Sequence, residues 1–227
     1  MTETKSVLVL GATRETGLET VQALRARARP VVGFARPQSD QADLRATGAP
    51  VVEGDAFERA SLDAAFATHE IGAVVSSLGG SRGEPRRVDF EGSKNAIDAA
   101  KAAGVQRFIM VTMIGCGDSE SAISPEARQA FATPLKLKTE AENYLISSGL
   151  DYTILRPGGM RSEPATGRGL LSEDHALMGV IHRADLARLI LQCLDDPATV
   201  GRTYHTVDSE MTGMPKLQVP WAKPQGS

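Results

Sequence analysis

The chain has 227 residues, 41% hydrophobic and 23% charged, with a formal net charge of −3, the profile of a soluble globular protein and most simply one domain. It contains no basic block and no basic patch interleaved with aromatics, which excludes the usual signatures of nucleic-acid binding. No apolar run approaches membrane-spanning length, and Met1 to Ser6 lacks a signal-peptide core, so a cytoplasmic protein with no membrane partner and with Cys116 and Cys193 reduced is expected.

Val7 to Leu10 is a short apolar run bounded by Gly11 and reads as a buried strand. Beyond Gly17, residues Leu18, Val21 and Leu24 recur at helical spacing, so a glycine turn joins strand to helix. In a phosphate-binding turn, Gly11 makes the bend, Gly17 lets helix and strand approach, and free N–H groups at the helix start face an anion. The same pattern also occurs as a plain turn. Arg29 to Ala35 forms a second strand ended by Arg36-Pro37, Gln41 to Thr47 a helix, and Ala49 to Glu53 a third strand running into Gly54-Asp55. Ser61 is a candidate N-cap for Leu62 to Thr68. Ile71 to Ser76 is the fourth strand and leads into Ser77-Leu-Gly-Gly80.

Val88 to Ala103 reads as a helix stopped by Gly104, Arg107 to Thr112 as the fifth strand, and Leu135 to Ser148 as a helix closed by Gly149. Asp151 to Leu155 is the sixth strand, Arg183 to Leu194 a closing amphipathic helix, and Thr203 to Thr206 a strand at the sheet edge. Residues 1–210 are thus expected to form a dinucleotide-binding domain, with a substrate-loop region at about 156–182. Residues 211–227, with three prolines and Trp221, read as an irregular tail.

Alternation of this kind predicts an α/β protein: one Rossmann-type doubly wound parallel sheet, order 3-2-1-4-5-6(-7), with helices on both faces. Ligands then sit at the carboxyl ends of the strands. Gly11 to Gly17, Arg36, Asp55-Ala56, Ser76 to Gly80, Thr112 to Cys116 and Arg156 to Met160 converge on that rim.

Gly11-Ala-Thr with Gly17, Gly54-Asp55, the run Val88 to Ala100, and Ser148-Gly-Leu-Asp-Tyr-Thr-Ile-Leu-Arg-Pro-Gly158 together resemble an atypical short-chain dehydrogenase/reductase. The nearest flavour is the small NAD(P)H-binding group that includes biliverdin-IXβ (flavin) reductase and the NmrA-like proteins. The resemblance implies that Gly11, Thr13, Arg14, Glu15, Thr16 and Gly17 surround the diphosphate, and that Asp55 and Ala56 border the adenine. It also implies that Ser77, Leu78 and Gly79 follow the nicotinamide ribose, and that Pro157 and Gly158 pass beside the nicotinamide. Arg36 ends strand two, where an arginine favours a 2′-phosphate, and Arg14 can reach the same group, so NADP(H) is expected over NAD(H). The competing readings are two solvated arginines, and an Asp55 that caps its own loop.

Lys138 matches the lysine that holds the nicotinamide ribose, and otherwise reads as a surface lysine paired with Glu142. Thr112 keeps a hydroxyl after strand five, and otherwise reads as a satisfied strand-end group. These two are the candidate catalytic residues. Gly80, Met113, Ile114, Met160, His175 and His182 are candidate substrate-pocket residues, although His182 also fits a packing role in the closing helix. Arg82, Arg86 and Arg87 make a small cationic rim or a solvated loop. Four histidines and two cysteines are scattered without ligand spacing, so no metal is expected.

Three departures from the family pattern bear on activity. Pro134 stands where the family's tyrosine precedes Lys138, Met113 stands where a serine is common, and Glu15 brings a negative charge to an anion site. Two unit charges 4 Å apart interact by about 4 kcal/mol at an effective dielectric of about 20, most of which solvation and an outward swing remove, with Arg14 offsetting the rest. Two functions stay open. One is an NADPH-dependent reductase of a small planar or conjugated molecule, acting without the tyrosine acid. The other is a non-catalytic NmrA-like dinucleotide sensor or assembly protein. Either would be a monomer or homodimer.

Overall fold

The computed structural model describes residues 5–81 and 83–213; Arg82, Trp221 and nearly all of the expected tail lie outside the described residues. The first six of the sheet's seven parallel strands are β1 (Ser6–Leu10), β2 (Val31–Ala35), β3 (Val51–Glu53), β4 (Ile71–Ser76), β5 (Arg107–Val111) and β6 (Asp151–Pro157). Their connections are helical: α1 (Glu15–Ala26), α2 (Ala42–Ala46), α3 (Arg59–Thr68) and α4 (Val88–Ala102), then α5 (Pro125–Ala130) and α6 (Ala132–Ile146) between β5 and β6. After β6 come β7 (Gly159–Arg161), β8 (Gly169–Ser172), β9 (Val180–His182), α7 (Arg183–Asp195) and β10 (Arg202–Asp208).

The sheet runs β3-β2-β1-β4-β5-β6-β10-β8, a Rossmann-like order, so β1 and β4 are neighbours at the switch point. Strand alternation sorts the core between the two faces. Val7 and Val9 of β1 pack with Leu24 of α1 and Ile190 of α7, whereas Leu8 and Leu10 pack with Leu62, Ile97 and Leu145 of α3, α4 and α6. A third apolar cluster, built on Ile114, Ile123 and Leu135 with Met113, Phe131 and Met178 against it, sits beyond the carboxyl end of β5.

Four expectations need correction. The first helix starts at Glu15, so Thr16 and Gly17 lie inside its first turn. Glu58, not Ser61, precedes α3, and no side chain caps it. The strand over Thr203 to Thr206 is not an edge: β10 pairs with β6 on one side, and on the other β8 runs antiparallel to it, His205 opposite Ser172 and Asp208 opposite Gly169. The segment read as a substrate loop therefore contains the true edge strand. It also holds β9, which pairs with β7 in a separate two-stranded sheet beside the rim.

Candidate functional site

Gly11 leaves β1 at φ +76°, and a Cβ there would sit 2.9 Å from the Ser77 carbonyl oxygen. A Cβ on Gly17 would sit 2.0 Å from the Gly11 carbonyl oxygen, so only glycine lets α1 begin this close to β1 and β4. The first α1 bond runs from the Leu18 amide to the Arg14 carbonyl at 3.3 Å, leaving the amides of Glu15, Thr16 and Gly17 without an acceptor inside the helix. These residues line a cleft of about 710 Å³ that follows the carboxyl ends of the strands. That volume is in the range of small-molecule and cofactor sites.

The cleft brings together most of the sequence candidates. Gly11, Thr13, Arg14, Glu15, Thr16 and Gly17 line its middle, and Arg36, Asp55 and Ala56 one end. Ser77, Leu78, Gly79 and Gly80 follow β4, while Thr112, Met113, Ile114, Lys138, Pro157, Gly158 and Met160 close the other end. Asp55 also does what its competing reading required, accepting from the Phe57 amide at 2.9 Å.

His175 and His182 are the exceptions, and both expectations are corrected. His175 does not line the cleft. Its Nδ1 meets Asp118 Oδ2 at 2.7 Å, its Nε2 faces the Thr203 carbonyl at 3.1 Å, and its ring stacks on His205 with centroids 5.1 Å apart. His182 is buried at the start of α7, with Nδ1 bonded to the Pro164 carbonyl at 2.7 Å. His175 ties the segment after β6 to the body, and His182 joins the two ends of that segment.

The charge on Glu15 is met differently from expectation. Its carboxylate, more than half exposed, lies 3.6 Å from Nη2 of Arg183, a cleft residue that the sequence reading had not singled out. Arg183 is itself held by Ser162 Oγ at 2.9 Å. Arg14 instead reaches Ser81 Oγ at 3.1 Å. Glu15 also has a φ of +52°, a left-handed backbone that glycine adopts freely and glutamate does not. Of the rim arginines, Arg86 pairs with Glu91 and stacks on Phe57 at 4.0 Å, and Arg87 pairs with Asp89 at 3.0 Å.

Lys138 is no surface lysine, and its partner is not Glu142. Its Nζ donates to the Leu78 carbonyl at 2.9 Å and lies 3.3 Å from Asp89 Oδ1. Asp89, fully buried, also accepts from the Gly80 amide at 3.0 Å, so one carboxylate fixes the loop after β4, Arg87 and Lys138 together. A signal for Asp89 existed: it shares the buried face of α4 with Gly92, Ser93 and Ala96, and an acid on a buried face needs partners.

Glu142 serves another cluster. Thr112 Oγ1 donates to Glu142 Oε1 at 2.6 Å, and Arg156 donates to both Glu142 oxygens and to Asp118. Partial burial works against the Asp118 charge, but hydrogen bonds from Arg156 and His175 bring its carboxyl down to about 2. Burial, reinforced by the Glu142 charge, pushes the Cys116 thiol up to about 12, which removes it as a nucleophile near neutral pH. Among the described residues no group of three or more His, Cys, Asp or Glu side chains is placed to hold a metal ion, and no helix is long and apolar enough to cross a membrane.

A parallel switch-point sheet with a glycine turn, helix-start amides that lack an acceptor inside the helix and a long rim cleft defines a dinucleotide-binding α/β protein. The profile of the family described as NAD(P)H-binding matches residues 11–197, and the chain belongs to that family, with the character of an atypical short-chain dehydrogenase/reductase. Among solved structures it is similar to ChuY, described as an anaerobilin reductase from Escherichia coli O157:H7. That match has a TM-score of 0.82 and 32% identity, covering 91% of this chain and 98% of that one. It is 32% identical to a Bacillus subtilis protein named as an uncharacterized sugar epimerase, YhfK, over 90% of this chain and 94% of that one. It is also 36% identical to sanguinarine reductase of Eschscholzia californica, over 49% of this chain and 41% of that protein.

Proposed function

We propose that the protein is an NADP(H)-dependent reductase of a small planar or conjugated acceptor, working by hydride transfer without a tyrosine acid. The observation that carries this reading is a cleft with two unlike ends. One end holds Arg36, which has no acidic partner among the described residues. The other is walled by Met113, Ile114, Ile123, Phe131 and Met178.

The residues present fit the coenzyme. Gly11 and Gly17 form a cradle that a Cβ would fill, three helix-start amides suit a diphosphate, and Arg36 suits a 2′-phosphate. When bound, reduced coenzyme would supply a hydride, and the one proton that completes the reduced acceptor would come from water. The protein's own contribution is placement. Lys138, fixed by Leu78 and Asp89, carries a positive charge to the ribose region. The methionines and Phe131 offer apolar, polarizable surface to a flat ring and keep water from it.

With Pro134 and Met113 at the two usual hydroxyl positions, no side chain there can protonate a simple ketone. A conjugated acceptor spreads the incoming charge and has less need of such an acid. Two relatives named as reductases support the reading.

The test is NADPH oxidation, followed by its near-ultraviolet absorbance, against flavins, quinones, enones and simple ketones. Turnover of at least one conjugated acceptor with none of the ketones is expected. Tight NADPH binding with no turnover of any acceptor would contradict it and point to an NmrA-like sensor.

A further inference from the structure

Thr112 lines the cleft next to Met113 and is 5% exposed. Its Oγ1 lies 2.6 Å from Glu142 Oε1. Arg156 donates to the same oxygen from Nε at 3.1 Å and to Glu142 Oε2 from Nη2 at 2.8 Å. A guanidinium keeps its protons at every working pH and has no acceptor, so both carboxylate oxygens face donors and the proton in the Thr112–Glu142 bond belongs to the hydroxyl. A hydroxyl has one donor and two lone pairs. With the donor committed to Glu142, Thr112 can offer the cleft only an acceptor.

We infer that Thr112 is a specificity-determining acceptor that selects a ligand edge carrying an N–H donor, an amide or ring N–H of a planar heterocycle, and disfavours a bare carbonyl oxygen there. The polarity is fixed from behind. Arg156 Nη1 is anchored on Asp118 at 2.6 Å, and Glu142 and Arg156 are 1% and 4% exposed. Turning the hydroxyl toward the cleft would therefore take a donor away from a buried carboxylate.

The inference rests on the proposed dinucleotide cleft but concerns binding and not turnover. Two sources could offer such an N–H to Thr112: the carboxamide of the coenzyme and the ring of the acceptor.

Two ligand pairs separate these sources. One is a riboflavin-type isoalloxazine with a free N3–H against its N3-methyl counterpart, measured by fluorescence quenching on protein saturated with NADP+. The other is NADPH against its 3-acetylpyridine analogue, in which a methyl ketone replaces the carboxamide, measured by calorimetry. The expected result is that the wild type binds the N–H member of one pair about two- to tenfold more tightly, the worth of one hydrogen bond. Thr112→Val should abolish that preference and Thr112→Ser retain it, with Thr112→Ala replacing the valine variant if that does not fold. A preference in the flavin pair assigns the acceptor, and one in the coenzyme pair assigns the carboxamide. Equal affinities within both pairs, or a preference that survives loss of the hydroxyl and is therefore steric, overturn the inference. Failure of the reductase reading is distinct: it shows as absent NADPH oxidation with the binding preference intact.

Discussion

Glu15 combines two unfavourable features in one residue, a left-handed backbone and a negative charge beside the proposed diphosphate site. Its ion pair with Arg183 is more than half exposed on the Glu15 side, so the pair contributes little to stability. Glu15→Gly should raise stability by about 1 kcal/mol through relief of backbone strain, read by thermal or denaturant unfolding. It should also tighten dinucleotide binding severalfold, because Arg183 becomes free to face the diphosphate. Unchanged affinity would mean that the carboxylate is fully neutralised where it stands.

Arg36 gives the complementary prediction. Arg36→Ala should weaken NADPH by about ten- to a hundredfold, the range for a charge-assisted hydrogen bond, and leave NADH nearly untouched. Equal losses for the two coenzymes would remove the 2′-phosphate role. Most cleft residues were legible because strand ends and glycines are local features. Arg183 was not, because it comes to Glu15 from the far end of the chain.

Between elements, the telling contact is the buried Asp89 of α4, which fastens the loop after β4 to Lys138 of α6. Asp89→Ala would leave Lys138 and Arg87, both mostly buried, without their counter-charge. A loss of about 3 kcal/mol is expected, the lower end for breaking a buried pair, measured by denaturant unfolding. Coenzyme affinity should fall with it, as the loop from Leu78 to Gly80 loosens. A stable variant with full affinity would show that the loop holds itself.

The long helices and parallel strands were readable from apolar periodicity. The short elements were not: α5, β7, β8 and β9 span three to six residues each, too few for a period to declare itself. That is why β10 was mistaken for an edge. It is also why His175 and His182, which staple the segment after β6, looked like candidates for the pocket.

Across the whole molecule, the acid limit of stability follows from carboxylates outside the cleft. Asp208 is fully buried at the end of β10; burial opposes its charge, but hydrogen bonds from Thr166 and Arg168 lower its carboxyl to about 2. Because the folded value lies below the ordinary 3.8, the unfolded chain takes up the proton first as pH falls. The stabilisation is complete above about pH 4 and is lost between about pH 4 and pH 2. Asp118 contributes in the same sense but is two-thirds exposed, so solvent screens most of its share. Acid unfolding of Asp208→Asn should therefore be less steep in that window than that of wild type; an identical profile would place the acid-sensitive contacts elsewhere.

At this scale the central expectation is that the rim cleft takes a phosphorylated dinucleotide. Calorimetric titration with NADPH and NADH in parallel tests this most directly. One NADPH per chain, bound at least tenfold more tightly than NADH and accompanied by a rise in melting temperature, is the predicted result. No heat and an unmoved melting temperature at saturating NADPH would contradict it.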